Sequence, residues 1–322
     1  MNTVFVSTFS ERLVEFIDQK RSLGYTYGNM SDPKKFDRMC AKQFPGETNL
    51  TADICNTWAI QRGRETAKTS AGWSAFIREF ARYLLRNGEQ AYVLPVGTVQ
   101  KGQRYIPHIY SRTEVTEMWQ AFDRIQPTKA YPAAHLVLPT LIRLLYCCGV
   151  RPGEALNLKI DDVSLHSGKI LIAEAKGNKD RIVMLADDVL DLCRNFNTQI
   201  QAYFPYRKFF FAKNVLDPCD YKWVGHEFRK IRGKLNIESR SNNPPRIYDL
   251  RHTFATHRLY QWMRDGKDIY AMMPYLSAFM GHSKLTETFY YVHLVPGMLE
   301  EMSGFNYGSV ADLFPEVIEE NE

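Results

Sequence analysis

The sequence predicts a mainly α-helical fold with one small β-hairpin, divided into a helical N-terminal domain and an α+β C-terminal domain. Apolar residues recur at helical spacing through the first ninety residues, prolines and glycines then break the pattern, and two short β-rich runs flank a polar turn. A chain of 322 residues is long enough to bury two separate cores.

In chain order, Thr8 and Glu11 form a capping box, and Phe9, Leu13, Phe16 and Ile17 follow at helical spacing. Asp32 and Pro33 open a second helix that buries Phe36, Met39 and Cys40, since proline suits the first helical position. A third helix starts near Thr51 and carries Ile54 and Trp58. The fourth has the clearest stripe, Trp73, Phe76, Ile77, Phe80 and Leu84, and Gly88 can end it. Another face of that helix carries Arg78, Arg82 and Arg86, each four residues apart. Such a row is most simply a solvated face; its other reading is a line of contacts to nucleic-acid phosphates.

Pro95, Gly97, Gly102 and Pro107 interrupt the pattern over residues 93–110, and Lys101 and Arg104 add charge. This is the composition of a basic interdomain linker, suited to lie along a DNA backbone. A second domain opens at Ser111, a helix cap with Glu114 three residues on, followed by Val115, Met118, Trp119 and Phe122. A helix over residues 134–148 stops at Gly149, and Pro152 starts the next, which puts Arg151 at its mouth. Residues 169–174 and 181–185 form a hairpin around Lys176-Gly177-Asn178-Lys179. The remainder is mostly helical, up to an acidic tail ending at Glu322.

Composition narrows the class only modestly. A net charge of +5 and 45% apolar residues describe an ordinary globular chain with a mild preference for anionic partners. Cys40, Cys55, Cys147, Cys148, Cys193 and Cys219 contain no C-x-x-C pair, so they fit no zinc pattern and read as reduced, buried thiols of a cytoplasmic protein. The N-terminus lacks the basic-then-apolar pattern of a signal peptide. Pro139 and Arg143 interrupt the most apolar stretch, residues 133–150, which reads as a buried helix and not as a membrane span.

The chemistry lies in five strings. Arg151 stands in Gly149-Val150-Arg151-Pro152-Gly153-Glu154, and Lys176 in the hairpin turn. Arg251 stands in Tyr248-Asp249-Leu250-Arg251-His252, His282 in Gly281-His282-Ser283, and Tyr291 nine residues after His282. Cutting a phosphodiester by direct attack builds charge on the non-bridging oxygens and on the entering and leaving oxygens. Fixed cations in a dry site stabilise that charge, and arginine suits the task because its planar fork stays ionised. Asp249 is placed to cap the helix that carries Arg251. Taken singly, each arginine is equally well a surface ion-pair partner, with Glu154 beside Arg151. Lys179 competes with Lys176, and Tyr290 with Tyr291. His252, His257, His282 and His293 also raise a metal site, but a five-residue gap takes His252 and His257 off a shared helix face, and no acid is placed as a base.

These strings resemble, in order, the motifs of the tyrosine recombinase (phage integrase) family over the C-terminal two-thirds of the chain. The resemblance implies a DNA-cutting and DNA-joining enzyme that works through a 3′-phosphotyrosyl intermediate, with catalytic Arg151, Lys176, Arg251, His282 and Tyr291. It selects Lys176 because the family's lysine precedes the glycine of a similar hairpin. It selects Tyr291 because the nucleophile stands just before an x-His ending. Tyr248, His252 and Glu154 become supporting residues, and the position that most relatives fill with histidine or lysine is Tyr248. A tyrosine there donates a hydrogen bond to phosphate but does not shuttle a proton at neutral pH as imidazole does.

By the same resemblance, residues 1–92 form a helical, SAM-like core-binding domain, 93–110 a linker, and 111–322 the catalytic domain with its tail. It implies no metal and no other cofactor, in keeping with the lack of a P-loop or dinucleotide fingerprint. Double-stranded DNA is the expected partner, with a tetramer when two sites are paired. The apolar residues beyond Tyr291, among them Met298, Leu299, Val310, Leu313 and Phe314, are too many for a solvated tail; they pack on the chain's own catalytic domain or, by the resemblance, dock on a neighbouring protomer. A type IB topoisomerase shares the nucleophile chemistry, and a DNA-binding protein that kept the fold without activity is the non-enzymatic alternative. Chelator-sensitive activity would instead mark a metallohydrolase.

Overall fold

The stripe on the fourth predicted helix organises the N-terminal half. In the computed structural model, which describes residues 5–25, 31–59, 67–99, 105–173, 180–235, 237 and 244–295, four helices form this part. They are α1 (Ser10–Ser22), α2 (Ser31–Gln43), α3 (Ala52–Ala59) and α4 (Ala67–Arg86). Phe9, Phe16, Phe36 and Trp58 gather on Phe76 and Phe80 of α4, with ring centroids 5.5–6.3 Å apart in edge-on or tilted pairs. Arg82 and Arg86 stand exposed and Arg78 half-buried, off this apolar stripe. The capping box expected at Thr8 and Glu11 does not form. Phe9 is fully buried and itself occupies the cap position of α1, and the Thr8 hydroxyl is turned to the carbonyl of Glu47.

The chain divides into two compact units, residues 1–104 and 105–322. Val93, Leu94 and Val99 pack on the core of the first, while Tyr110 is buried in the core of the second. Lys101 and Arg104 lie outside the described residues.

The second unit begins with α5 (Arg112–Asp123), closed by the reciprocal Ser111–Glu114 capping box. Next come α6 (Ala134–Cys148) and α7 (Pro152–Leu156). A three-stranded antiparallel sheet follows, in the order β1 (Val163–Ser164), β2 (Lys169–Ile172), β3 (Arg181–Met184). Ile170 pairs with both Val163 and Val183, and Ile170, Ile172 and Val183 face the core. The hairpin turn, Lys176 and Lys179 included, lies outside the described residues. Strand β1 is new relative to the sequence reading, because two residues are too few to show an alternating pattern.

The remaining helices are α8 (Asp187–Ile200), α9 (Tyr221–Arg232), α10 (Asp249–Arg264), α11 (Ile269–Met280) and α12 (Thr286–Phe289). Helix α6 packs against α5, α8 and α10, which explains why it is apolar around most of its circumference. Arg143 escapes this core by a two-pronged pair with Asp123 at 2.7 Å. Among the described residues no helix is long and apolar enough to cross a membrane. All six cysteines are free thiols.

The start of α10 departs from the sequence reading. Tyr248 occupies the cap position without a side-chain cap bond, and Asp249 lies inside the first turn. Its carboxylate is fully buried and folds back to accept the Arg246 N–H at 2.9 Å and the Tyr105 hydroxyl.

Gly149 ends α6 in the left-handed region at φ +58°, and a Cβ there would lie 2.3 Å from the Phe254 ring. Gly149→Ala combines left-handed strain with overpacking, so a loss of about 2–4 kcal/mol is expected. Urea unfolding of the purified variant measures it, and an unchanged midpoint would contradict the packing described.

Candidate active site

The C-terminus of α11 gathers the site. A helix end leaves carbonyls without intrahelical partners and carries partial negative charge. Here three successive carbonyls each take one arginine. Arg181 Nε donates to Phe279 O at 3.0 Å, Arg251 Nη2 to Met280 O at 2.7 Å, and Arg151 Nη2 to Gly281 O at 3.0 Å. Arg251 reaches a second helix end through Nη1, which donates to Gly149 O at 2.6 Å. It is 1% exposed, and its buried Nε has no hydrogen-bond partner among the described residues. Burial, then the charge of Arg151, lowers its pKa.

Glu154 joins two of these arginines. Its carboxylate takes two bonds from Arg181, at 2.7 and 3.1 Å, and one from Arg151 Nη1 at 2.6 Å. It also accepts the Arg151 backbone N–H at 3.0 Å, which fixes the first turn of α7. Burial alone would raise its pKa, but the two arginines outweigh it and hold the carboxyl at about 2. Arg181, the first residue of the strand after the lysine-bearing turn, has no role in the sequence reading. Its signal was a cation opening an apolar strand, and only the fold shows that it meets Glu154 and α11.

Gly281 takes φ +68°, and a Cβ there would lie 2.8 Å from Arg181 Cδ and Nη1. This turn delivers His282, whose Nδ1 is 2.6 Å from Thr288 Oγ1 and whose ring lies over that of Tyr291, centroids 5.9 Å apart. Burial and then the charge of Arg251 push His282 down to about 3, and the same two causes push His252 down to about 4. His252 sits among three tyrosine rings, with Tyr248 at 5.3 Å, Tyr291 at 5.5 Å and Tyr290 at 6.3 Å.

Tyr291 is 3% exposed, whereas Tyr290 is half-buried. Burial pushes the Tyr291 phenol up to about 12, against the pull of Arg251. A cleft of about 650 Å³ opens beside Arg151 and Tyr248, walled by Glu154, Leu171, Phe209 and Tyr221. The fold therefore brings together Arg151, Arg251, His282 and Tyr291 with Tyr248, His252 and Glu154. His257 is engaged elsewhere, with Nδ1 2.9 Å from the Tyr146 hydroxyl. Among the described residues no three histidine, cysteine or acidic side chains are grouped to hold a metal ion.

The sequence profile of the phage integrase family matches residues 111–297, more than half of the chain. The chain belongs to the phage integrase family. As a tyrosine recombinase it is similar along nearly its whole length to proteins of that name. It is 26% identical over 312 residues to tyrosine recombinase XerD of Staphylococcus haemolyticus, covering 92% of this chain and 97% of that protein. Tyrosine recombinase XerC of Bacillus licheniformis is 27% identical over 314 residues, covering 92% and 95%. The fold matches that of the XerH site-specific recombinase, solved bound to palindromic difH substrate in a post-cleavage complex. That match has a TM-score of 0.63 at 20% identity, over 85% of this chain and 78% of the other.

Titration of Glu154 gives a test. Its folded pKa of about 2 lies below the ordinary 4.5, so its stabilisation is full above pH 4.5 and is lost as pH falls toward 2. Glu154→Gln should cost roughly 3 kcal/mol at pH 7, with the gap to wild type closing in acid. Denaturation curves from pH 7 to pH 2 measure this gap, and a constant one would contradict the assignment. Both proteins also weaken below about pH 6.5, where unfolded histidines take protons that His252 and His282 refuse.

Proposed function

We propose that this recombinase cuts and rejoins double-stranded DNA at specific sites with Tyr291 as nucleophile. The observation that carries the proposal is the convergence of Arg151 and Arg251 on one helix end beside the Tyr291 and His282 rings. The phenol loses its proton to solvent and its oxygen attacks phosphorus, the 5′ oxygen leaves with a proton from Lys176, and a 3′-phosphotyrosyl ester replaces the phosphodiester. That exchange conserves the bond, so rejoining needs no separate energy source. Arg151 and Arg251 hold the non-bridging oxygens. His282, neutral at physiological pH, donates from Nε2 when Thr288 donates to Nδ1. Tyr248, lining the cleft with Arg151, supplies a further donor.

Lys176 is assigned as the acid that protonates the leaving oxygen, on the family motif alone. Tyr291 and Arg251 are both enclosed in this conformation, so both must be uncovered before a duplex phosphate reaches them. Arg78, Arg82 and Arg86 on α4, with Lys101 and Arg104, are assigned to phosphates along the duplex. The chain works in the cytoplasm as a tetramer on two paired sites, joined through the segment beyond residue 295, which lies outside the described residues.

Incubation with fragments of the protein's own genomic flanks, followed by denaturing gels, tests the nucleophile. Tyr291→Phe should bind DNA normally and form no covalent adduct, while Tyr290→Phe keeps the adduct. The exchanged result would move the nucleophile by one residue. Lys176→Ala should slow cleavage strongly and leave binding nearly unchanged, because one cation contributes little to total affinity. A substrate with a 5′-thio leaving group needs no protonation and should restore its rate; failure to do so removes Lys176 from the acid role.

A further inference from the structure

We infer that Tyr105 is a positioning residue, whose hydroxyl, latched onto Asp249, fixes the first turn of α10 and with it Tyr248 and Arg251. The inference rests on the reading of those two side chains as phosphate-holding groups. Tyr105 lies upstream of the residues that match the family profile.

Helix α10 has no side-chain cap. The N–H groups of Asp249, Leu250 and Arg251 are instead held by the carbonyls of Arg246, Ile247 and Tyr248, three residues back. The order of this turn therefore depends on whatever holds residues 246–248 in place. Segment 105–110 does so at several points. The Tyr105 hydroxyl donates to Asp249 Oδ2, the oxygen that also accepts the Arg246 N–H. The Arg246 guanidinium lies 3.2 Å over the Tyr105 ring and 3.5 Å from Asp249 Oδ1. Farther along, the Tyr110 N–H donates to Thr253 Oγ1 at 3.1 Å, and the Thr253 hydroxyl donates to Asp249 O at 2.8 Å. His108, buried against Tyr110, is 3.2 Å from Glu114, which closes the cap of α5 and anchors the far end of the segment.

The Asp249 carboxylate is fully buried, so each donor it loses leaves charge uncompensated. Of its donors, the Tyr105 hydroxyl comes from outside the α10 turn, and it can be removed without touching the helix. Arg251, two residues beyond Asp249, holds Gly149 O and Met280 O at 2.6 and 2.7 Å, a span that tolerates little movement of the turn. Loosening the latch should therefore misplace Arg251 and Tyr248 and leave the rest of the core intact.

The experiment compares the full-length wild type with Tyr105→Phe, using the genomic-flank fragment that becomes covalently attached to wild type. In single-turnover reactions the adduct rate at saturating protein should fall about tenfold while half-saturation shifts by less than about twofold, the scale of one hydrogen bond to a charged group. Amide exchange across residues 248–254 should quicken by about tenfold in the free protein. Ile106→Ser, at an exposed neighbour, should change neither. An unchanged exchange rate would overturn the inference, as would an unchanged adduct rate or a loss explained wholly by weaker binding. If wild type forms no adduct with any fragment, the functional reading fails, and the exchange result alone decides the latch.

Discussion

Three guanidinium groups held by the carbonyls of residues 279–281 are what the rest of the catalytic unit is arranged around. Like charges this close repel, and burial adds to the cost of each. The end of α11 offsets that cost with carbonyl dipoles, and Glu154 adds the balancing carboxylate between Arg151 and Arg181. Arg251 needs the end of α6 as well, through Gly149 O. Both helices stop in left-handed glycines with a neighbouring side chain pressed against the missing Cβ. The backbone turn, the arginine cluster and the delivery of His282 are thus one construction.

The cluster divides the site into two halves with different readiness. The half that would hold an anion is fixed in place, with Arg151 and Arg251 each tied to a carbonyl, although Arg251 is as buried as Tyr291. The half that would react is shielded, with Tyr291 buried among Phe254, Met273, Val292 and their neighbours and its proton held tightly. Arg251 links the two, since its charge opposes the burial that raises the phenol and adds to the burial that lowers His282 and His252. A phosphate bound at the arginines would lie next to the Tyr291 phenol, whose pKa burial raises to about 12.

The helices were legible because burial imposes a period. The stripe on α4, the Ser111–Glu114 box, the Gly149 stop and Pro152 at the mouth of α7 all follow from local rules and stand where those rules put them. Thr8 and Asp249 did not behave as caps, because each met a partner distant in sequence, the Glu47 carbonyl and the Tyr105 hydroxyl. Arg181 had no legible role for the same reason, since its partners Glu154 and Phe279 lie 27 and 98 residues away. Motif order named Arg151, Arg251, His282 and Tyr291, which the fold brings together, and Lys176, which lies outside the described residues. The sharing of carbonyls and carboxylates that holds it together appears only once α7, β3, α10 and α11 meet.

The claim that these elements assemble around Tyr291 is tested most directly by mapping the covalent attachment. Wild type is reacted with DNA, the adduct is digested with protease and nuclease, and the modified peptide is fragmented in a mass spectrometer. The residual nucleotide mass should sit on Tyr291, within an otherwise unmodified Tyr290-Tyr291 pair. Attachment to Tyr290, or to any residue outside this cluster, would contradict it.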